Sequence, residues 1–298
     1  NVGRQGAKSA RPVRTRRLGA ARVQPSRSAE LRLRCPLAGA SARPCERVVF
    51  DGDAGDGMSR TVPLFTLRVS SVSPSGTDTI HLHATAICQD GHEYAVKWAT
   101  PNGVAASEWL GYRLAAACQI AVPMSATIED TNGKLGFGSR WDPTAREWKT
   151  LTAAERIAAW KECASQLTSM LALDLFCGNV DRHPNNFLFV RVRSGAWAPL
   201  CIDFSRALFA QGFPDDTWPM EPCQTLTTQT GMKAAGLWDA PTAVSTLTLL
   251  QDVSKPMLEH WMAELPPGWL TQPQIDRVTN WWGSEAYHKR LQQCFLLV

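Results

Sequence analysis

Residues 178–189 read GNVDRHPNNFLF, a dozen positions that hold an Asp, an Arg, a His and three Asn before the chain turns apolar. The stretch follows one of the longest apolar runs in the sequence, and a second acid, Asp203, sits in an apolar setting in LCIDFSRALF. Asp181 and Asn186 are five residues apart, and both carry side-chain oxygens. An amide oxygen and a carboxylate are hard donors of the kind Mg²⁺ takes, with waters and nucleotide phosphates as its other partners. A further carboxylate on the same edge can accept a hydroxyl proton or orient an acceptor. These residue types point to one metal and phosphate site, with Asn186 and Asp203 as the metal donors and Asp181 beside them.

The elements around these residues must bring them together. FLFVRV and AWAPLCID read as two strands joined by RSG, and a tight hairpin sets its two ends side by side. Asn186, before the first strand, and Asp203, after the second, are therefore expected to be neighbours. Upstream, TAAERIAAWKECASQLTSMLALDLFCG reads as one long helix, opened by a capping box of Thr152 and Glu155 and stopped by Gly178. The first half of the chain is β-like. TVPLFTLRVSSVS leads through PSGTD into TIHLHATAIC, and QDGH turns the chain into EYAVKWA. Alternation puts Tyr94, Val96 and Trp98 on one face of that strand and Ala95 and Lys97 on the other. PNGVAASEWLGYRLAAACQI reads as a helix, and VPMSATIED, TNGK and LGFGSRW as a hairpin. From Thr228 onward Leu, Trp and Ala recur at helical spacing. The expected fold class is α+β, a small β-rich half with one helix followed by a mostly helical half that opens on the polar loop.

Composition narrows the classes. With 298 residues, 44% hydrophobic and 19% charged, the chain has ample length for a buried core. No apolar run reaches the ~18 residues of a membrane-spanning helix. Nine cysteines lie scattered without a C-x-x-C pair, which argues against a zinc module or a disulfide framework and fits a reducing cytoplasm. The net charge of +4 hides an asymmetry: residues 1–47 hold twelve basic residues against two acidic, +10, and the rest nineteen against twenty-five, −6. Such an arm suits nucleic acid or an anionic membrane, and its Arg-rich, acid-poor character also suits an organellar transit peptide. The reading preferred here is a disordered or over-extended tail over residues 1–57, because its composition buries too little to fold and the first Met is Met58. Direct nucleic-acid binding is not expected.

The order of the polar residues matches the phosphoryl-transfer template of protein kinases, in which a catalytic Asp is followed five positions later by a metal-binding Asn and a second metal-binding Asp ends the next hairpin. The template also asks for a strand Lys paired with a helix Glu, and Lys97 and Glu108 fill those places. GNVDRHPNNFLF with CIDFSRA closely resembles the catalytic segment of HipA-like kinases, in their short branch with N-x-D-R-H-x-x-N. EYAVKWA, SEWLGYRLAAACQIAVP, LGFGSRW and LPPGWL are similar to that family's pattern, and the likeness covers about residues 61–298. It implies a two-lobed fold, with a small lobe over 58–141 and a helical lobe over 142–298, and with ATP and Mg²⁺ in the cleft near 138–141, Ser139 included. It further implies Asp181 as acid/base with His183 near the acceptor, and Lys97 on the nucleotide phosphates. The acceptor implied is a Ser or Thr of a protein, and an antitoxin-like DNA-binding partner is implied by resemblance alone. Phosphoinositide kinases share D-R-H-x-x-N, so a lipid or small-molecule acceptor stays open, as does a non-catalytic pseudokinase. No G-x-G-x-x-G precedes Lys97; SVSPSGTD stands there, with Ser73, Ser75, Gly76 and Thr77 as candidate phosphate contacts, or as a phosphorylation switch.

Plainer roles compete for several of these residues. Asp181 fits an Asx turn, Asn179 and Asn185 fit turn positions, and Arg182 fits an ion pair that holds the loop. His183 suits either a proton relay or a hydrogen-bonded scaffold. Lys97 has apolar neighbours and needs a partner if buried, while Glu108 could be an ordinary helix-surface acid. His81 and His83 alternate on one strand face without a third ligand, and read as an exposed face. Trp160, Trp261 and Trp269 read as core packing, and Cys177 as a small buried residue.

Overall fold

The computed structural model describes residues 66–74, 84–214 and 223–298, within one compact unit, Arg60–Val298. The basic tail, Ser75, Gly76, Thr77, His81 and His83 lie outside the described residues. Five strands close a barrel: β1 (Thr66–Pro74), β2 (Ala84–Cys88), β3 (Glu93–Trp98), β4 (Ser125–Glu129) and β5 (Leu135–Arg140), in the order β1-β2-β3-β5-β4. Each neighbour is antiparallel except β1 with β4, whose parallel pairing of Thr66–Arg68 with Thr127–Glu129 completes the ring. The alternation in EYAVKWA holds: Tyr94 and Val96 are buried in the barrel interior with Ala86, Cys88, Ala126 and Ile128, and Trp98 packs against them. Lys97 leaves on the opposite face, toward helix α1 (Val104–Ala117).

A second sheet has the order β6-β7-β8, from Arg146–Glu147, Phe187–Arg191 and Trp197–Cys201. Seven further helices make up most of the remainder: α2 (Ala153–Glu162), α3 (Ala164–Cys177), α4 (Gln224–Ala234), α5 (Ala240–Gln251), α6 (Lys255–Ala263), α7 (Gln272–Trp281) and α8 (Glu285–Leu297). The mixed α+β class is as expected. Among the described residues no helix is long and apolar enough to cross a membrane.

The single helix expected over 152–178 is two. The capping box of Thr152 with Glu155 starts α2, and Gly178 ends α3 in the left-handed conformation at φ 64. Between them the backbone leaves helical geometry at Cys163, φ −99 and ψ 9. The burial of the two pieces gives the reason. Only Ala159 is buried in α2, whereas α3 buries Leu167, Thr168 and every residue from Met170 to Cys177. A helix apolar all round belongs inside a core, and the break lets the half-exposed piece leave that axis. Truncating a buried leucine such as Leu171 or Leu173 removes both transfer energy and packing, about 2–5 kcal/mol. Trp261 and Trp269 are core residues, and Trp160 packs on Trp148 with ring centroids 5.1 Å apart.

Candidate active site

Lys97 is on β3, held between β2 and β5, so its backbone is pinned on both sides. Its ammonium contacts Glu108 Oε1 at 2.5 Å and Asp203 Oδ1 at 2.8 Å. Glu108 is buried on α1, and the same Oε1 also accepts the Phe204 N–H at 2.8 Å. Glu108, Gly111 and Tyr112 fall at i, i+3 and i+4, on one face of the helix, and that face receives the segment carrying Asp203. A Cβ at Gly111 would lie 2.3 Å from the Phe204 ring, so only glycine allows this approach. The Tyr112 ring packs edge-on at 6.2 Å from Phe204, and its hydroxyl pairs with Ser139 Oγ at 2.8 Å.

Asp203 follows the hairpin rather than ending its strand, since β8 stops at Cys201. Its backbone is left-handed at φ 67, a conformation uncommon for a residue with a side chain. The Ser205 N–H (3.2 Å) and hydroxyl both donate to Asp203 Oδ1, closing a short turn around the carboxylate. Burial pushes the Asp203 carboxyl up, but Lys97, the Ser205 hydroxyl and Arg182 outweigh it and hold the group below the ordinary carboxylate range. Burial likewise pulls Lys97 down, and the Asp203 and Glu108 carboxylates together hold it above its usual value.

The polar loop is built on a buried ion pair. Asp174 in α3 and Arg182 both have fully buried side chains and meet through Nε–Oδ2 at 2.6 Å and Nη2–Oδ1 at 3.0 Å. Burial would lower the Arg182 guanidinium, but Asp174 holds it firmly charged. Arg182 Nη1 donates to the carbonyl of Asn186 at 2.8 Å and also to that of Ile202. Asp174 Oδ1 accepts from Asn179 Nδ2 at 2.8 Å, and Asn179 Oδ1 accepts the Asp181 N–H at 3.1 Å. Thr225 and Thr228 of α4 bind the loop backbone from outside through the Thr225 Oγ1 bonds to Arg182 N and Asn179 O and the Thr228 hydroxyl to Arg182 O.

The hairpin register pairs Phe187 with Cys201, which sets Asn186 and Ile202 at the same edge. Lys97, Glu108 and Asp203 are therefore in direct contact, and Asn186 is tied to the residue before Asp203 by one guanidinium nitrogen. Asp181 borders this edge: its carbonyl accepts Asn186 Nδ2 at 2.8 Å, and its carboxylate meets Arg206 Nη1 at 3.4 Å. His183 Nδ1 accepts the Asn185 N–H at 3.2 Å, a capping contact within the loop. Ser139 bonds Tyr112, and Ser73 is exposed on β1. Cys177 is buried, and burial pushes its thiol well above the ordinary range. Sequence reasoning missed Asp174, Gly111, Tyr112, Ser205 and Thr225. Of these only Asp174 left a signal, as the one charge in the apolar stretch ASQLTSMLALDLFC.

The donors present suit Mg²⁺. A carbonyl only accepts, so the Asn186 amide must turn its nitrogen to Asp181 O, leaving Oδ1 as an acceptor with no partner among the described residues. Asp203 Oδ2 is likewise without a partner among them, and its side chain is 30% exposed. One carboxylate and one amide oxygen are enough for an ion that takes its remaining ligands from phosphates and water.

No family model matches the sequence, and no curated protein matches it. The fold does have solved counterparts. It is similar to the Helicobacter pylori proinflammatory kinase CtkA, with a TM-score of 0.51 and 12% identity over 78% of this chain and 97% of that one. A second similarity is to HipA of Shewanella oneidensis MR-1, in its complex with HipB and operator DNA, with a TM-score of 0.44, 14% identity, and 67% and 57% of the two chains covered. The kinase-like fold expected from the motif resemblance is thus found in the CtkA comparison.

Proposed function

We propose that the chain is an ATP- and Mg²⁺-dependent phosphotransferase of HipA-like type, moving the γ-phosphoryl group to a hydroxyl, in first place a Ser or Thr of a protein. The observation that carries the reading is Lys97, an ammonium from the barrel in contact with both Glu108 and Asp203. In this reading residues 58–141 and 142–298 form the two lobes, and ATP lies between them near 138–141. Glu108 fixes Lys97, which orients the nucleotide phosphates. Asn186 Oδ1 and the free oxygen of Asp203 would hold Mg²⁺, whose chemistry there is to neutralise charge on the phosphates. Asp181 accepts the hydroxyl proton, and Arg206 keeps its carboxylate facing the acceptor. His183, through its contact to Asn185, shapes the loop beside the acceptor. Ser73, Ser75, Gly76 and Thr77 remain the proposed phosphate cover.

A cytoplasmic setting belongs to the same proposal, supported by seven cysteines that are all free in the described residues. An antitoxin-like DNA-binding partner is its outermost part, and purification of the chain alone from its native source counts against it. The enzyme reading is tested with γ-labelled ATP and Mg²⁺, on a mixture of Ser- and Thr-bearing proteins. Asp181→Asn and Asp203→Asn are each expected to cut label transfer by about 10²–10⁴-fold. Equal labelling by wild type and both variants removes the reading, and leaves a nucleotide-binding or partner-binding protein in its place.

A further inference from the structure

We infer that Asp174 and Arg182 are positioning residues that set the spacing between the two metal donors, and through it how tightly the site holds a divalent cation; the inference rests on the kinase reading above. The argument starts from the two carbonyls that share Arg182 Nη1. One belongs to Asn186, a proposed donor, and the other to Ile202, the residue before Asp203, the second donor. The hairpin ladder runs from Phe187 with Cys201 away from the site, so it stops just short of both donors. Beyond the ladder, the guanidinium is the link that ties the two backbones at that edge.

Its own orientation is fixed. Asp174 takes Nε and Nη2 in a fork, so the planar group has a single direction left for Nη1. Phe187 and Phe204 stack on the guanidinium at 5.5 and 5.2 Å, and these are the residues that directly follow Asn186 and Asp203. The same Asp174 carboxylate reaches the backbone of Asp181 through Asn179. One fully buried acid therefore orients the proposed base and both proposed metal donors while touching none of them by side chain. A lysine cannot do this. Its ammonium can neutralise Asp174, but it is a point donor without the fork that spans a carboxylate and two carbonyls.

The test is Mn²⁺ titrated into the full chain with a non-hydrolysable ATP analogue, read by electron paramagnetic resonance of the free ion. It is compared for wild type, Arg182→Lys and a stability control, Leu250→Ala, which opens the core at a buried α5 leucine. Arg182→Lys is expected to weaken Mn²⁺ binding at least about tenfold and to raise the Mg²⁺ concentration for half-maximal label transfer in parallel. The control lowers the unfolding midpoint without moving either value. An Arg182→Lys variant that unfolds more readily yet binds Mn²⁺ as wild type does makes the pair a structural element only, and overturns the inference. If that variant does not fold, Asp174→Asn, which keeps the shape of the side chain but takes one acceptor and the charge from the fork, replaces it: weaker Mn²⁺ binding is expected, and wild-type Mn²⁺ affinity overturns the inference. A wild type that binds no Mn²⁺ with the nucleotide analogue removes the kinase reading itself, an outcome distinct from the others.

Discussion

Two buried ion clusters, linked through the Ile202 carbonyl that precedes Asp203, are finished differently. In the Asp174–Arg182 pair both side chains are fully buried, and Nε, Nη1 and Nη2 of the arginine all have acceptors. In the Lys97–Glu108–Asp203 cluster the lysine is 12% and Asp203 30% exposed, and one oxygen of Asp203 has no partner among the described residues. The first cluster is sealed, with each guanidinium nitrogen engaged, which suits a part that holds backbone. The second has spare coordination and a way to solvent, which suits a part that exchanges partners. Charge burial is common to the two clusters; they differ in exposure and in the carboxylate oxygen left open at Asp203.

The contrast can be broken by experiment. Asp174→Ala strips the partner from a sealed cation and is expected to cost about 3–5 kcal/mol in urea unfolding. A loss below about 1 kcal/mol would mean that the pair is not sealed in solution. Lys97→Met should do the reverse, cutting label transfer by about 10²–10³-fold while costing less stability than Asp174→Ala. Gly111→Ala drives a methyl into the Phe204 ring and is expected to cost about 1–3 kcal/mol, with a loss of transfer because Phe204 and Asp203 move together. The smallest effect concerns pH. The folded Asp203 carboxyl is held below its unfolded value, so its contribution is complete above about pH 4 and fades as the pH falls toward the folded value. The stability gap between wild type and Asp203→Asn should therefore be widest above that pH and narrow in acid, as read by unfolding midpoints; a gap constant with pH contradicts the ionised pair.

The placement of several candidate site residues was legible because they sit in local patterns. Lys97 is on the outer side of an alternating strand, Glu108 is on the helix that follows, and Asn186 and Asp203 flank a hairpin whose ends must meet. What escaped has no local signature. The parallel β1–β4 pairing joins strands separated by the whole of β2, β3 and α1, so nothing in either segment announces that the sheet closes. The break at Cys163 depends on the unequal burial of α2 and α3, a tertiary property. Asp174 looks like an intruder in an apolar helix until Arg182, from beyond the helix end, is placed against it. The left-handed backbone of Asp203 likewise stands beside a contact from another element, Glu108 accepting the Phe204 N–H.

The ring of five strands carries a consequence for recognition. An open sheet offers a row of unsatisfied amides and carbonyls onto which an extended peptide can be zipped. Here β1 and β4 use those groups on each other over Thr66–Arg68 and Thr127–Glu129, so along that stretch a protein that docks against the barrel must read side chains and contours instead of lengthening the sheet.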